Sequence, residues 1–256
     1  MELLNYDWGS EIRAFSTLRS SGGCGEGAYA SFNLTPYVAD REENIALSRQ
    51  QLCQELGIEE SRLLLPHQTH TAQVFTVDAN YWSLSADEQK DALQDIDALV
   101  TQERGLCIGV STADCVPLLL HDTTSQTIAA VHAGWKGMVQ RIPQRALEVM
   151  QALGANPSTT RALIGPSISV ASFEVGEEVV QAFLQAGFPE SIVARHYTRP
   201  HVDLWAACTH LLEESGILLE HILVAGIDSY QQDDSFFSAR QQGLHSGRTY
   251  TGIMMR

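Results

Sequence analysis

Short apolar runs in the middle of the chain constrain the fold more than any other feature. Each is three to five residues long, and they are Leu63–Leu65, Val74–Val77, Ala98–Thr101, Leu106–Val110, Val116–Leu120 and Thr127–Val131. Their length and their content of Val, Ile and Leu predict buried β-strands. Because several of these strands follow one another between 97 and 132, the pattern favours mixed sheets over a regular doubly wound sheet.

Helical patterns and further strands surround these runs. Asp40, with Glu43 three residues on and Gly57 at the end, predicts a capped helix over 40–56. Helices are also predicted over 138–153, 177–186 and Asp203–Ser215, strands over Arg161–Ile164, His221–Ala225 and Tyr250–Met255, and a surface loop or exposed helix over 83–95. No repeat or linker divides the chain, so we expect one domain, 1–256, of the α/β class (α+β type), with layered mixed β-sheets flanked by helices.

The charge balance limits the partners of the chain. Its 31 acidic and 16 basic side chains give a net charge of −15, which argues against nucleic acid or an anionic membrane as the main partner. The N-terminus has no basic signal-peptide region, and no apolar run reaches the roughly 18 residues of a membrane span. The five cysteines are scattered, as is typical of reduced thiols. We therefore expect a soluble, cytoplasmic protein.

Three polar clusters interrupt the apolar pattern, each directly after a predicted strand. They are Pro66–His70, Ser111–Cys115 and His132–Gly137. Ends of strands are where a rigid scaffold presents functional groups. One residue from each cluster gives an imidazole, a thiol and an imidazole, a donor set for a zinc site with one open coordination position.

The pattern alone leaves other interpretations open. Cys115 fits a buried core position and His132 fits a hydrogen-bonded residue at a strand end. His67 and His70 are three residues apart, but Pro66 and the strand pattern argue against a shared helical face, so this pair is a poor metal signature.

Two further regions suggest anion binding. A glycine-rich loop, Ser21–Gly27, follows Arg19 and allows close approach of backbone to an anion, although an ordinary tight turn is the commoner explanation of such a loop. Near the C-terminus, Arg240 and Arg248 place guanidinium groups in a strongly acidic chain. Arginine commonly binds phosphate through two parallel hydrogen bonds.

Taken together, these segments resemble a known family, the YfiH-like laccase-domain proteins, whose members are also described as purine nucleoside phosphorylases. The resemblance covers essentially the whole chain. It rests on Arg19 with Gly22-Gly23 and Asn33-Leu34, Gln68–His70, Thr112–Pro117, Val131–Gly137, Ile164–Ile168, Phe173–Gly176, Phe236–Ser238 and Gly247-Arg248.

The resemblance implies a layered α/β fold similar to the catalytic domain of cytotoxic necrotizing factor toxins. It implies a metal site built from His70, Cys115 and His132, usually holding Zn²⁺. It also implies purine nucleosides and phosphate as small-molecule partners, with phosphorolysis of adenosine, inosine and methylthioadenosine and deamination of adenosine. A copper-dependent polyphenol oxidase activity, with Cu²⁺ in place of zinc, and a peptidoglycan-editing amidase role are likewise attached to the family.

The chemistry suggests roles for individual residues. In deamination, an activated water attacks the purine carbon that bears the amino group while a carboxylate moves protons, and Asp114 fits either that task or the orientation of a histidine ligand. In phosphorolysis, fixed cations must hold the phosphate dianion. The candidates for substrate binding are Arg19, Lys136, Arg240 and Arg248 for phosphate, and Asn33 and Glu174 for the ribose or base.

Alternative functions follow from the same residues. Cys115 as nucleophile with His132 as base would make an amidase, and zinc on the thiolate would block that attack. Two histidines and one cysteine also match blue-copper centres, but no methionine adjoins any of the three. A binding module with a structural metal is a further alternative, although such sites normally have four protein ligands.

The chain departs from the family pattern at two places. Asp228-Ser229 stands where a Cys-Thr pair is common, and Ala239-Arg240-Gln241 stands where two arginines often follow. Neither change affects the three expected ligands.

Overall fold

The computed structural model describes residues 1–256 as two β-sheets stacked face to face with helices on the outer sides. One sheet has five strands in the order β1-β2-β13-β6-β3, and the other has six in the order β12-β9-β7-β8-β5-β4. A separate two-stranded ribbon pairs β10 with β11. The strands are β1 Leu3–Tyr6, β2 Ile12–Thr17, β3 Leu63–Leu64, β4 Val74–Val77, β5 Ala98–Thr101, β6 Cys107–Thr112, β7 Val116–Asp122, β8 Thr127–Ala133, β9 Thr160–Ile164, β10 Val193–Ala194, β11 His201–Val202, β12 Ile222–Val224 and β13 Thr249–Met255.

Eight α-helices accompany the sheets. They are α1 Glu42–Leu56, α2 Ala79–Ser83, α3 Ala86–Ala92, α4 Trp135–Val139, α5 Ile142–Ala152, α6 Glu177–Gln185, α7 Leu204–Glu214 and α8 Ala239–Gln242. No helix combines the length and the apolar character that crossing a membrane requires.

Strand β7 shows why the run Val116–Leu120 is apolar at every position. Leu118 and Leu120 belong to the core cluster under helices α5, α6 and α7, whereas Leu119 belongs to the cluster between the two sheets. Successive side chains of a strand point to opposite faces, so a strand covered on both faces needs apolar residues at every position. Helix α1 covers the outer face of the five-stranded sheet, where Leu52 packs in a third cluster with Phe15 and Tyr250.

The predicted fold class is confirmed, since the sheets are layered, mixed in strand direction and flanked by helices. The apolar runs between 63 and 131 all form strands, and Asp203 caps α7 by accepting a hydrogen bond from the amide of Ala206 at 2.9 Å. The segment 83–95 contains an exposed helix, α3, which begins with a capping box between Ser85 and Glu88.

Two helix predictions were wrong in detail. The N-cap position of α1 is Arg41, and Asp40 lies one residue earlier, where its carboxylate accepts from the amide of Arg41. The helix predicted over 138–153 is two helices, because Arg141 has a left-handed backbone (φ 63°) between α4 and α5 and Pro143 occupies the first turn of α5. Proline fits the first turn of a helix but not its interior.

Candidate metal centre

A single buried carboxylate, that of Asp97, organises two of the three candidate ligands. Asp97 directly precedes β5 and is fully buried. Its Oδ1 accepts hydrogen bonds from His132 Nδ1 at 2.6 Å and from the amide of His70 at 3.0 Å. Its Oδ2 accepts from the amide and the hydroxyl of Thr71, both at 2.8 Å. Asp97 therefore fixes the ring of one histidine and the backbone of the other.

The backbone of His70 needs this support because it adopts the left-handed conformation (φ 63°), which is uncommon for residues other than glycine. Three successive amides, those of Thr69, His70 and Thr71, donate to the carboxylate of Asp97. These bonds hold the turn in place. They also leave the ring of His70 free to face Cys115, with Nε2 at 3.7 Å from Sγ.

Strand pairing brings Cys115 to the end of β8. Val116 pairs with Ala133 and Pro117 with His132, so Cys115, one residue before β7, lies beside Gly134. A Cβ atom at Gly134 would be 2.9 Å from Cys115 Sγ and 3.0 Å from His70 Cδ2. Glycine is therefore required at this position to let the thiol and the imidazole approach each other.

The three ligand atoms have the spacing of a metal site. The nitrogen and sulfur atoms offered by His70, Cys115 and His132 all lie within 4.8 Å of one another. Tetrahedral zinc, with Zn–N near 2.0–2.1 Å and Zn–S near 2.3 Å, places a nitrogen and a sulfur ligand about 3.6 Å apart. The 3.7 Å between His70 Nε2 and Cys115 Sγ agrees with that value.

The electrostatics of the cluster favour the ionised thiol. Burial raises the pKa of Cys115, but the charge of His132 and hydrogen bonds from both histidines outweigh it and lower the pKa to about 6. Burial lowers the pKa of His132, but the Cys115 charge and the Asp97 hydrogen bond raise it to about 9. Burial also opposes ionisation of Asp97, yet its hydrogen bonds from His132 and Thr71 leave the pKa of the carboxyl lowered.

The donor set fits a divalent metal. A thiolate and two imidazoles are ligands that zinc and copper both accept. His132 donates through Nδ1 to Asp97, which leaves Nε2 for the metal, and this carboxylate–histidine arrangement is typical of metal sites. His70, Cys115 and His132 therefore form a group that could bind a metal.

The three ligands open on a cavity of about 480 Å³. Asp114, Arg240 and Arg248 also line it, and Tyr37 and His67 form part of its wall. A purine nucleoside is within the size range of ligands held by cavities of this volume.

Comparison with known proteins identifies the family of the chain. Residues 13–256 match the model of a protein family described as multi-copper polyphenol oxidoreductase laccase. The chain belongs to this laccase family. A family relative from Bacteroides thetaiotaomicron, named purine nucleoside phosphorylase, is 41% identical over 250 residues, which are 96% of this chain and 92% of the relative. A second, named adenosine deaminase RL5 and from an unknown prokaryotic organism, is 42% identical over 245 residues, 94% of this chain and 93% of the relative.

Solved structures share the fold. YlmD from Geobacillus stearothermophilus superimposes with a TM-score of 0.89 at 26% identity, covering 96% of this chain and 93% of that one. The YfiH protein of Bacillus licheniformis superimposes with a TM-score of 0.91 at 23% identity, covering 99% and 96% of the two chains. The predicted membership of the YfiH-like laccase-domain family is thus confirmed.

The hydrogen bonds of Asp114 exclude one of its two predicted roles, that of orienting a histidine ligand. Its Oδ1 accepts from the hydroxyl of Ser229 at 2.9 Å and its Oδ2 from the amide of Arg240 at 2.7 Å. The carboxylate that orients His132 and holds the backbone of His70 is that of Asp97, so the alternative in which Asp114 orients His70 or His132 is wrong. The Asp228-Ser229 pair, where the family often has Cys-Thr, supplies the hydroxyl that holds Asp114.

Of the six predicted substrate-binding residues, only Arg240 and Arg248 line the cavity. Two others support these arginines from behind. Asn33 is buried and its Oδ1 accepts from the amide of Arg248 at 3.2 Å. The carbonyl oxygen of Glu174 accepts from both terminal nitrogens of the Arg240 guanidinium at 3.1 Å.

The remaining two, Arg19 and Lys136, do not line the cavity. The guanidinium of Arg19 donates to the carbonyls of Ala30 and Asp233 and lies 5.0 Å from the ring centre of Phe237. Lys136 is exposed on α4, with Nζ 5.8 Å from the ring centre of Trp135.

Sequence reasoning missed Asp97 and the aromatic wall of the cavity. The site residues predicted from the sequence follow strands, whereas Asp97 directly precedes β5, and a polar residue directly before an apolar run is the signal that marks it. Tyr37 and His67 are stacked with ring centres 4.2 Å apart, a contact between residues 30 positions apart that no local pattern signals.

Proposed function

We propose that the chain is a zinc-dependent purine nucleoside enzyme that cleaves adenosine, inosine and methylthioadenosine with phosphate and also deaminates adenosine. One observation supports this proposal above all. Three candidate metal ligands lie close together at the wall of a cavity, and two arginines line the same cavity. The relatives named purine nucleoside phosphorylase and adenosine deaminase support it, since they align over nearly the whole chain.

Zinc is the metal that best suits the proposed chemistry. When bound by His70, Cys115 and His132, it would offer an open coordination position that acidifies water and polarises oxygen. A blue-copper centre takes a weak axial ligand such as methionine or glutamine. No methionine lines the cavity, and both polar atoms of the Gln68 side chain, which does line it, are hydrogen-bonded to the backbone of Ser111. The proposal therefore sets aside copper-dependent oxidation.

Phosphate binding is assigned to Arg240 and Arg248. A chain with a net charge of −15 needs local cations to attract a dianion, and these two are the cationic side chains on the cavity wall. Their guanidinium groups are preoriented, Arg240 by the carbonyl of Glu174 and Arg248 by the carbonyls of Ser246 and Leu244. Preorganised charges of this kind stabilise a transition state without reorganising during the reaction.

Asp114 is proposed to move protons during deamination. It is the acidic residue among those that line the cavity, whereas Asp97 is fully buried behind His132. Hydrogen bonds from Ser229 and from the amide of Arg240 fix the carboxylate without covering it, since Asp114 remains partly exposed.

The deciding experiment incubates metal-quantified protein with adenosine, with and without phosphate, and identifies the products. Adenine with ribose 1-phosphate means phosphorolysis, and inosine means deamination. C115S should abolish both activities, while C24S, which alters an exposed thiol outside the cavity, should retain them. Absence of all three products from the zinc-loaded protein would contradict the proposal.

Phosphate binding has its own test. We expect R240M to raise KM for phosphate by about tenfold or more, because a charged hydrogen bond contributes roughly 1.5–3 kcal/mol. R145M, which removes an exposed arginine of α5 outside the cavity lining, is the matched control and should leave KM unchanged. Equal KM values for phosphate in R240M and the unaltered protein would show that Arg240 does not bind phosphate.

A cysteine amidase is the second candidate, because His70 Nε2 lies 3.7 Å from the Cys115 thiol and His132 is close to both. Nucleophile and imidazole are near enough for such a pair once a substrate tightens the contact. In this case an alkylating reagent would label Cys115 equally with and without added zinc, whereas the favoured proposal predicts protection by zinc.

A further inference from the structure

His67 is the one imidazole on the cavity wall that is not a candidate metal ligand. The main chain fixes its position, because its amide donates to the carbonyl of Leu93 at 2.9 Å and the residue forms a β-bridge with Gln94. Its ring therefore has a defined place beside the space in which a substrate would lie.

The side chain of Gln94 determines which nitrogen of His67 carries hydrogen. Gln94 Nε2 donates to the carbonyl oxygen of Lys90 at 3.1 Å, so its Oε1 is the atom that faces His67 Nδ1, at 2.7 Å. An amide oxygen only accepts hydrogen bonds, and Nδ1 must therefore be the donor. In the neutral imidazole Nε2 is then an acceptor, and it has no hydrogen-bond partner in the protein.

Tyr37 fixes the plane of the same ring. The rings of Tyr37 and His67 are stacked at an angle of 24°, and both residues line the cavity. Stacking on one side and a hydrogen bond at Nδ1 leave the ring little freedom to rotate. The acceptor at Nε2 is thus preorganised on an aromatic wall that a purine base could pack against.

We infer that His67 makes the site favour 6-aminopurine nucleosides over inosine, which stays the weaker substrate, by accepting, at Nε2, a hydrogen bond from the exocyclic amino group of the base. The inference rests on the proposed nucleoside activity and adds the group that discriminates between bases. Adenosine presents a donor at this position, whereas inosine presents a carbonyl oxygen, which would place two acceptors against each other. Unpaired or opposed polar groups in a binding site weaken binding.

The test compares H67F with the unaltered protein on two substrates that differ only at the 6-position. Phenylalanine keeps an aromatic ring against Tyr37 but removes the acceptor. We expect kcat/KM for phosphorolysis of adenosine to fall about three- to tenfold, the loss typical of one neutral hydrogen bond. With purine riboside, which lacks the amino group, kcat/KM should be the same for H67F and the unaltered protein. The loss therefore depends on both the imidazole and the amino group being present.

Two more variants keep the result interpretable. Q94L leaves the cavity wall intact but frees the His67 ring, and we expect a smaller loss in the same direction, again on adenosine alone. H196F makes the same substitution at an exposed histidine outside the cavity and should leave kcat/KM unchanged for both substrates. Zinc content is measured for every variant to show that the ligand cluster is intact.

The outcomes separate this inference from the activity on which it rests. If the unaltered protein turns over both nucleosides and H67F loses activity equally on both, or on neither, the inference is wrong and the proposed function stands. If the unaltered protein neither binds nor converts adenosine or purine riboside, both are wrong. A loss confined to adenosine in H67F and Q94L supports the inference.

Discussion

Replacing Asp97 by asparagine tests the part of the site on which the ligand geometry depends. The substitution keeps the shape of the side chain but leaves one acceptor oxygen where there were two. If that oxygen occupies the Oδ1 position, the new NH₂ group faces the amide hydrogens of Thr69 and Thr71, while the hydroxyl of Thr71 keeps the carbonyl of Asp95 as an acceptor. If it occupies the Oδ2 position, the NH₂ group faces His132 Nδ1 and the amide of His70. Two donors lose their acceptor in either orientation.

The magnitude follows from this count. A buried donor left without a partner costs about 1–3 kcal/mol, so D97N should lower the free energy of unfolding by roughly 2–6 kcal/mol. The effect on metal binding is separate. Without a carboxylate at Nδ1, the ring of His132 loses the hydrogen bond that keeps Nε2 available, and the loss of such a partner typically weakens metal affinity 10- to 100-fold.

Urea denaturation and competitive zinc titration measure the two effects. D91N, which makes the same change at an exposed position on α3, is the matched control and should leave both values unchanged. A D97N protein with unaltered zinc affinity would refute the reasoning, because it would show that the carboxylate does not hold His132 for the metal.

Further predictions concern packing and pH. G134A should lose zinc, as measured by metal content after dialysis, because its Cβ would lie 2.9 Å from Cys115 Sγ and displace a ligand, and zinc retained at full occupancy would contradict the geometry. Burial, and then the charge of Arg161, lower the pKa of His121, whose ring nitrogens have no partner. The unfolded chain therefore binds a proton that the folded chain does not, so stability should fall as the pH drops below about 6.5. In H121F, the difference in the free energy of unfolding between pH 5 and pH 7.5, taken from denaturation curves, should be smaller than in the unaltered protein. An unchanged difference would show that His121 does not cause this pH dependence.

The strands of the central layers were predictable because burial on both faces leaves a continuous apolar signal. Strands β3, β4 and β12 lie at sheet edges and were predicted as well, whereas β1, β2, β10 and β11 were missed. In β1 the partly exposed sequence Leu3–Tyr6 has no clear alternation, and β10 and β11 have two residues each. β1 pairs with β2, and β10 pairs with β11, so each partner is near along the chain, but such short or partly exposed segments have no apolar pattern that marks them as strands. The break at Arg141 was missed for a related reason, since arginine in a left-handed conformation is uncommon.

The site was predictable only in part. The residue types and motifs around His70, Cys115 and His132 indicated the ligands, and the structure places them together. The substrate side was harder to predict, because motif position does not determine side-chain direction. Lys136 adjoins the His132 motif in sequence, yet it lies on the exposed side of α4 and outside the cavity. Only the three-dimensional arrangement distinguishes a residue that lines the cavity from one that supports it from behind.

X-ray absorption at the zinc edge of the metal-loaded protein tests the central claim most directly. One sulfur neighbour near 2.3 Å and nitrogen neighbours near 2.0–2.1 Å are expected, with the sulfur contribution absent in C115S and unchanged in C24S. A spectrum of oxygen and nitrogen neighbours alone in the unaltered protein would show that Cys115 and the two histidines do not share one ion.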